Sequence, residues 1–200
     1  DARQFVAQYE RFTSQIPWRV QRGTMSALDT HDTARFATYA SPGAIPVAVG
    51  LSMALPGIPV VYAGDEFGLD AVDGEMSRAP IPWHRVDDPD VAARIALYRD
   101  LIGLRRAHPA LASGGMRWLH VDGNGVVFVR ESAAECVLVV ASRGAMTAEF
   151  PAELLPGASS ATLLYGSARI DTDGSVHVST EGTAFAAWAL PGVDAPAPAG

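Results

Sequence analysis

Thr24-Met25-Ser26-Ala27-Leu28-Asp29-Thr30, running into His31-Asp32, and Ile58-Pro59-Val60-Val61-Tyr62, running into Ala63-Gly64-Asp65-Glu66, decide the fold. Each is a short run that reads as a strand; the first ends on a His-Asp pair and the second on an Asp-Glu pair. The second is β-branched throughout its centre, the composition of a strand buried on both faces. Between them, residues 44–55 read as an apolar helix stopped by Pro56-Gly57. A strand, a helix and a second strand in that order predict two parallel strands joined by a crossover.

Upstream, residues 2–14 read as a helix with Phe5, Tyr9 and Phe12 on one face, broken at Pro17. Downstream of Glu66 comes an Asp-, Gly- and Pro-rich loop ending in Pro80-Ile81-Pro82-Trp83. Its length, about two dozen residues, exceeds the ~15 that structureless loops usually reach without a function. Asp88-Pro89 then opens a second helix, Asp88 at the N-cap and Pro89 at the first helical position. Its apolar stripe is Val91, Ile95, Tyr98, Leu101 and Ile102, and Arg105, Arg106 and His108 lie near its C-terminal end.

After Gly114 helical periodicity gives way to short strand-like runs: Met116–Val121, Val126–Arg130, Cys136–Ala141, Ala161–Leu164, Ser175–Ser179 and Ala184–Leu190. Asp122-Gly123-Asn124-Gly125 and Asp171-Thr172-Asp173-Gly174 mark turns. This half reads as an antiparallel β-sandwich. The small residues and prolines from Val193 to Gly200 read as a disordered tail. The first half fits the final two βα units of a larger parallel α/β fold; a barrel of that kind needs eight. The chain opens on Asp1-Ala2-Arg3-Gln4, with neither initiator Met nor signal peptide, as expected of a start inside a longer protein.

Bulk chemistry excludes several classes. The 200 residues are 48% hydrophobic and 18% charged, which is globular. The net charge is −7, all 15 basic residues are Arg, and no window is densely basic, so no nucleic-acid footprint exists. Residues 36–64 carry no charge, but Pro42, Pro46, Pro56 and Pro59 interrupt them, which argues against a membrane span. The lone Cys136, in an apolar run, reads as a small core residue.

In parallel α/β barrels the active site lies at the C-terminal ends of the strands, where His31-Asp32 and Asp65-Glu66 stand. A carboxylate directly after a buried strand needs a reason, because burying it unpaired is costly. Catalysis is one reason. Helix capping, a salt bridge with Arg35 or ordinary loop solvation are others, and spacing alone leaves all of them open.

The motifs resemble those of the alpha-amylase family of glycoside hydrolases. Leu28-Asp29-Thr30-His31-Asp32-Thr33-Ala34-Arg35-Phe36 is similar to the segment around that family's third catalytic carboxylate. Pro56–Glu66 looks like its last barrel strand with the Gly-Asp-Glu that follows. Ser77-Arg78-Ala79-Pro80-Ile81-Pro82-Trp83 resembles a loop of neopullulanase, cyclomaltodextrinase and alpha-glucosidase members, and Leu101–Leu111 resembles their last barrel helix. Pro17-Trp18 and Ala184–Leu190 also fit, so the resemblance spans nearly the whole chain in the right order.

The resemblance implies the last two βα units of a (β/α)8 barrel over residues 1–112, then a C-terminal β-sandwich over 113–192. It implies retaining chemistry on alpha-1,4 and in part alpha-1,6 glucosidic links, with an alpha-glucan or maltooligosaccharide as substrate and no cofactor. Asp32 would stabilise the oxocarbenium-like transition state, His31 would bind hydroxyls of the same sugar, and Arg78 would line the donor side. Asp65 and Glu66 would be structural rather than chemical, and Trp83 either stacks on sugar or anchors its loop. Several relatives carry an Asp four residues before the Arg. Here that position is Gly74, with Asp73 or Glu75 as possible substitutes. In the family the nucleophile and general acid both precede the His-Asp motif. Asp1 and Glu10 are the only acidic residues before Asp29, and neither follows a strand, so the resemblance implies a C-terminal fragment inactive alone. It further implies a parent that is cytoplasmic rather than secreted and that pairs as a homodimer.

Two other readings follow from the residues. Residues 113–192 could be a non-catalytic folding, interface or sugar-binding module, for which Trp118 and Trp188 are the candidate aromatics. A metal-dependent phosphohydrolase would need further converging ligands, but His84, His108, His120 and His177 are scattered. Asp171–Gly174 resembles the start of a calcium loop, yet its twelfth position is Gly182, not Glu.

Overall fold

A computed structural model describes residues 1–191 of the chain; the expected tail, 193–200, lies outside the described residues. Two strands, β1 (Met25–Ala27) and β2 (Ile58–Val60), pair in parallel with Met25 opposite Ile58. Helix α1 (Ala2–Thr13) and the short α2 (Trp18–Gly23) precede them; α3 (Phe36–Tyr39) and α4 (Ala44–Ala54) form the crossover between them. After β2 and the long loop come α5 (Pro89–Ala107) and α6 (Pro109–Ser113).

The remaining strands are antiparallel and form two sheets. One has five strands in the order β3 (Gly115–Val121), β4 (Gly125–Glu131), β5 (Cys136–Arg143), β10 (Thr183–Leu190), β7 (Thr162–Tyr165). The other has three, β6 (Met146–Pro151), β9 (Ser175–Thr180) and β8 (Arg169–Thr172). Alternate residues of β4 and β5 face opposite ways. Val126, Phe128, Val137 and Val139 join one core with Val49, Met53, Tyr98 and Leu101 of the helices. Val127, Val129, Leu138 and Val140 join a second core with Met146, Phe150, Val176 and Val178 of the smaller sheet. Burial on both faces is why β4 and β5 read as continuous apolar runs rather than alternating ones.

One buried arginine, Arg130, joins the halves of the chain, and a second, Arg105, ties α5 to the end of α4. Arg130, on β4 and fully buried, donates to the carbonyls of Gly115, Leu111, Gly114 and Ala54. Arg105 donates to the carbonyls of Met53, Leu55, Gly57 and Leu111. Met53 to Leu55 end α4, where helical carbonyls lack intrahelical partners, so the guanidinium groups supply the missing donors. Burial lowers the Arg130 pKa to about 10, with Arg105's charge adding to the fall.

Several expectations change. The strand expected over 24–30 is three residues long, all exposed, and β2 is largely exposed rather than buried on both faces. Among the described residues the pair has no further strand neighbours. Helix α1 buries Val6 rather than a Phe5–Tyr9–Phe12 face; Phe5 and Phe12 are exposed, while Tyr9 meets Trp118 edge-on at 5.9 Å. Asp88 does hold the N-cap position of α5, but its carboxylate turns to Arg85 at 2.9 Å instead of to the helix amides. Strands β6 and β8 were not expected. Asp171 and Thr172 belong to β8, and the turn is confined to Asp173-Gly174. No described helix is long and apolar enough to cross a membrane.

Candidate active site

The site grows from the turn that follows β1. Thr33 Oγ1 accepts from Thr30 N at 2.9 Å and donates to Thr30 O at 3.3 Å, and Thr33 N also reaches Thr30 O at 3.2 Å. This closed turn presents His31 and Asp32 to solvent, with side chains 65% and 67% exposed. Arg78 approaches from the turn Met76–Arg78 in the loop after β2. Its Nη2 lies 3.1 Å from Asp32 Oδ1, and its Nε donates to His31 O at 3.1 Å. His31 Nε2 lies 3.2 Å from Asp32 Oδ2. Both carboxylate oxygens therefore face a potential cation. At this exposure the pairing contributes at most about 1 kcal/mol of stability, so it orients groups rather than holds the fold.

Of the five residues expected at the site, these three come together. Asp73 is nearby, but its Oδ1 accepts from Met76 N at 2.8 Å and shapes its own turn. Glu75 is exposed, with no ion pair or side-chain hydrogen bond among the described residues. Gly74, between them, lies against the Asp32 backbone.

Beneath the exposed layer is a buried ionic one. Arg35, 1% exposed, places Nη1 2.7 Å from Asp65 Oδ1. Its Nη2 donates to Ala63 O and Ser77 O, each at 2.8 Å, and its guanidinium carbon sits 4.1 Å from the centre of the Tyr62 ring. Tyr62 Oη also donates to Ser77 O, at 3.1 Å. Asp29, likewise buried, accepts from Phe36 N at 2.6 Å through Oδ2, while its Oδ1 has no partner. Burial, and next the Asp29 carboxylate, push the Asp65 carboxyl up to about 6 against the hydrogen bond from Arg35. Glu66 turns back to accept from Gly64 N at 2.9 Å. Of the explanations spacing left open for the acids after the strands, Asp65 thus has the salt bridge with Arg35.

Sequence reasoning missed Ser77 and Tyr62. Ser77 is fully buried, and its carbonyl joins the two layers. Nothing in a Glu-Met-Ser-Arg stretch announces a backbone acceptor 42 residues from its donor. Of the aromatics, Trp188 is 3% exposed and Trp118 packs edge-on against Phe128 at 5.2 Å, so both serve the core. Trp83 is 68% exposed and meets Phe67 edge-on at 5.4 Å, which anchors the loop and leaves much of the indole open. Cys136 is half-buried, and burial pushes its thiol up to about 11.

An open hollow of about 440 Å³ lies beside the end of β1, lined by residues that include Asp29, Thr30, Thr33, Phe36 and Tyr39. A larger one, about 540 Å³ and mostly apolar, is lined by Met53, Pro59, Val61 and Ile102, away from the carboxylates. Among the described residues no three His, Cys, Asp or Glu side chains gather to hold a metal ion.

No protein-family model matches the chain. It is 31% identical over 145 residues to a cyclomaltodextrinase of Bacillus sp, covering 70% of this chain and 25% of that protein. It is 31% identical over 143 residues to neopullulanase 2 of Thermoactinomyces vulgaris, covering 70% and 24% respectively. The crystal structure of the acarbose-soaked debranching enzyme of Nostoc punctiforme superposes with a TM-score of 0.79 at 23% identity, over 94% of this chain and 38% of that one. The chain spans about a quarter of the length of the relatives it matches in sequence.

Proposed function

The chain belongs to the alpha-amylase family of glycoside hydrolases, and on that premise we propose that it is the C-terminal part of a retaining alpha-glucan hydrolase with Asp32 as transition-state stabiliser. The observation that carries this reading is the convergence of Asp32, His31 and Arg78 where the parallel strands β1 and β2 end. In this reading β1 and β2, with the helices that follow them, are the last two βα units of a (β/α)8 barrel over residues 1–112. The two antiparallel sheets over 113–192 are its C-terminal β-sandwich. The exposed strand faces support it, since a closed barrel would cover them with neighbouring strands and inner side chains.

Chemically, a carboxylate fixed near the sugar ring gains attraction to substrate as positive charge develops on the anomeric carbon. His31 accepts or donates to the hydroxyls of the same sugar. Arg78 lines the donor side, where Glu75 is the acidic side chain with no other commitment and Asp73 is tied to its own turn. The substrate is an alpha-glucan or maltooligosaccharide, in keeping with the names cyclomaltodextrinase and neopullulanase. The nucleophile and general acid are supplied by residues preceding Asp1. Asp1 and Glu10 do not fill these roles: Asp1 caps α1, and Glu10 lies on that helix. The 200 residues alone therefore hydrolyse no alpha-glucoside.

The test is to express the chain with its upstream coding sequence, measure maltooligosaccharide hydrolysis, and substitute Asp32→Asn. Turnover is expected to fall by at least the ~10²–10³-fold typical of losing one transition-state contact. Unchanged turnover in D32N, or hydrolysis by the 200 residues alone, refutes the assignment.

A further inference from the structure

Gly74 touches the backbone of Asp32. A β-carbon at Gly74 would fall 2.6 Å from the Asp32 carbonyl carbon, 2.7 Å from its Cα and 2.8 Å from its carbonyl oxygen. Non-bonded carbons rest at ~3.5–4.0 Å, so no side chain fits unless one backbone moves.

Which backbone gives way depends on how each is held. The Gly74 side is anchored in the interior. Ser77 donates through Oγ to Gly74 O at 2.8 Å and through its amide to Asp73 O at 3.1 Å. Its own carbonyl is gripped by Arg35 and Tyr62, and Arg35 is locked to Asp65. The Asp32 side is an exposed turn held by local bonds between Thr30 and Thr33, by exposed Arg78 through Nε on His31 O, and weakly by Ser77 Oγ at 3.5 Å from Thr30 O. The Asp32 turn is therefore the part that yields.

We propose that Gly74 is a positioning residue for Asp32: its lack of a side chain sets how far the His31-Asp32 turn sits back against the loop. That depth fixes where the carboxylate stands relative to the Arg78 guanidinium and to a bound sugar. The catalytic consequence rests on the glycosidase reading; the positional one does not. Gly74 lies outside the left-handed region of φ, so alanine suits its backbone and the added methyl acts only through contact.

The test uses Gly74→Ala, with Met76→Ala as a control in the same loop, Met76 being 58% exposed. In the 200-residue chain, the largest ¹⁵N–¹H shift changes in G74A are expected at Thr30 to Thr33 and at Arg78 Nε, with the melting temperature within a few degrees of wild type. Changes confined to residues 71–79, leaving Thr30 to Thr33 unmoved, overturn the proposal. In the enzyme carrying its upstream residues, kcat for maltooligosaccharide is expected to fall about 10–100-fold in G74A with KM changed less than about twofold, since ångström misplacement of a catalytic group costs on that order. A loss carried by KM, or an equal kcat loss in M76A, also overturns it. If D32N retains full turnover, the glycosidase reading fails, while the shift pattern still decides the positioning claim.

Discussion

Arg35 and Asp65 meet at 2.7 Å across the ends of β1 and β2, with 1% and 10% of their side chains exposed. The pair joins the turn bearing Asp32 to the loop bearing Arg78, because Arg35 N donates to Ala71 O at 2.9 Å and its Nη2 donates to Ser77 O at 2.8 Å. Removing the guanidinium strands a buried carboxylate and leaves Ala63 O and Ser77 O without that donor. Arg35→Met is expected to destabilise the chain by ~3–5 kcal/mol in urea unfolding. The double variant Arg35→Met/Asp65→Leu should recover part of that loss, and no recovery would show that the carboxylate was not the cause.

The same carboxylate gives stability an unusual pH dependence. With a pKa of about 6 folded against 3.8 unperturbed, Asp65 binds a proton more tightly in the folded state. Its contribution therefore rises as pH falls from about 6 to about 4 and levels off below the unfolded value. Asp122 and Asp173 work the other way. Desolvation of Asp122 is outweighed by the Gly125 and Asn124 amides, and His177 holds Asp173 low. Both lose stability only below the ordinary carboxylate range. Denaturation midpoints from pH 4 to 6 should slope more steeply downward with rising pH in wild type than in Asp65→Asn; equal slopes refute the assignment.

Arg130 should tolerate no shorter or neutral replacement. Four carbonyls depend on it, and two of them, Ala54 O and Leu111 O, precede residue 113. Arg130→Met is expected to cost about 3–5 kcal/mol through buried acceptors left unpaired, and Arg130→Lys recovers little because one ammonium cannot span the same acceptors. For the same reason residues 113–192 made alone should melt without a cooperative transition in circular dichroism.

Helix α4 approaches β10 through a glycine. A β-carbon at Gly50 would lie 2.3–2.6 Å from ring atoms of Phe185, which is 4% exposed. Gly50→Ala should destabilise by about 1–3 kcal/mol through overpacking. Phe185→Leu in that background should return some of the loss in thermal melts.

The sequence revealed most where local chemistry decides structure. Pro56-Gly57 stops α4 as expected, and Gly57 takes φ +127° with Thr24 O only 2.8 Å from where a β-carbon would stand. Pro89 opens α5, and six of the eight antiparallel strands were visible as apolar runs between turns. It hid β6 and β8, whose short mixed sequences become strands by pairing with β9. It placed His31, Asp32 and Arg78 through motif order, but could not show their meeting, because an ion pair over 46 residues leaves no periodic trace. Gly74 read as a departure from relatives; only the distance to Asp32 gives it a physical role.

The parallel pair β1–β2 has a further consequence for anyone handling the chain. Among the described residues each strand is bonded on one side only, and Met25, Ile58 and Val60 are 73%, 48% and 38% exposed. An open ladder edge flanked by oily side chains is a template for extended peptide. In a concentrated preparation of these 200 residues, that ribbon is the place to expect stray chains to add.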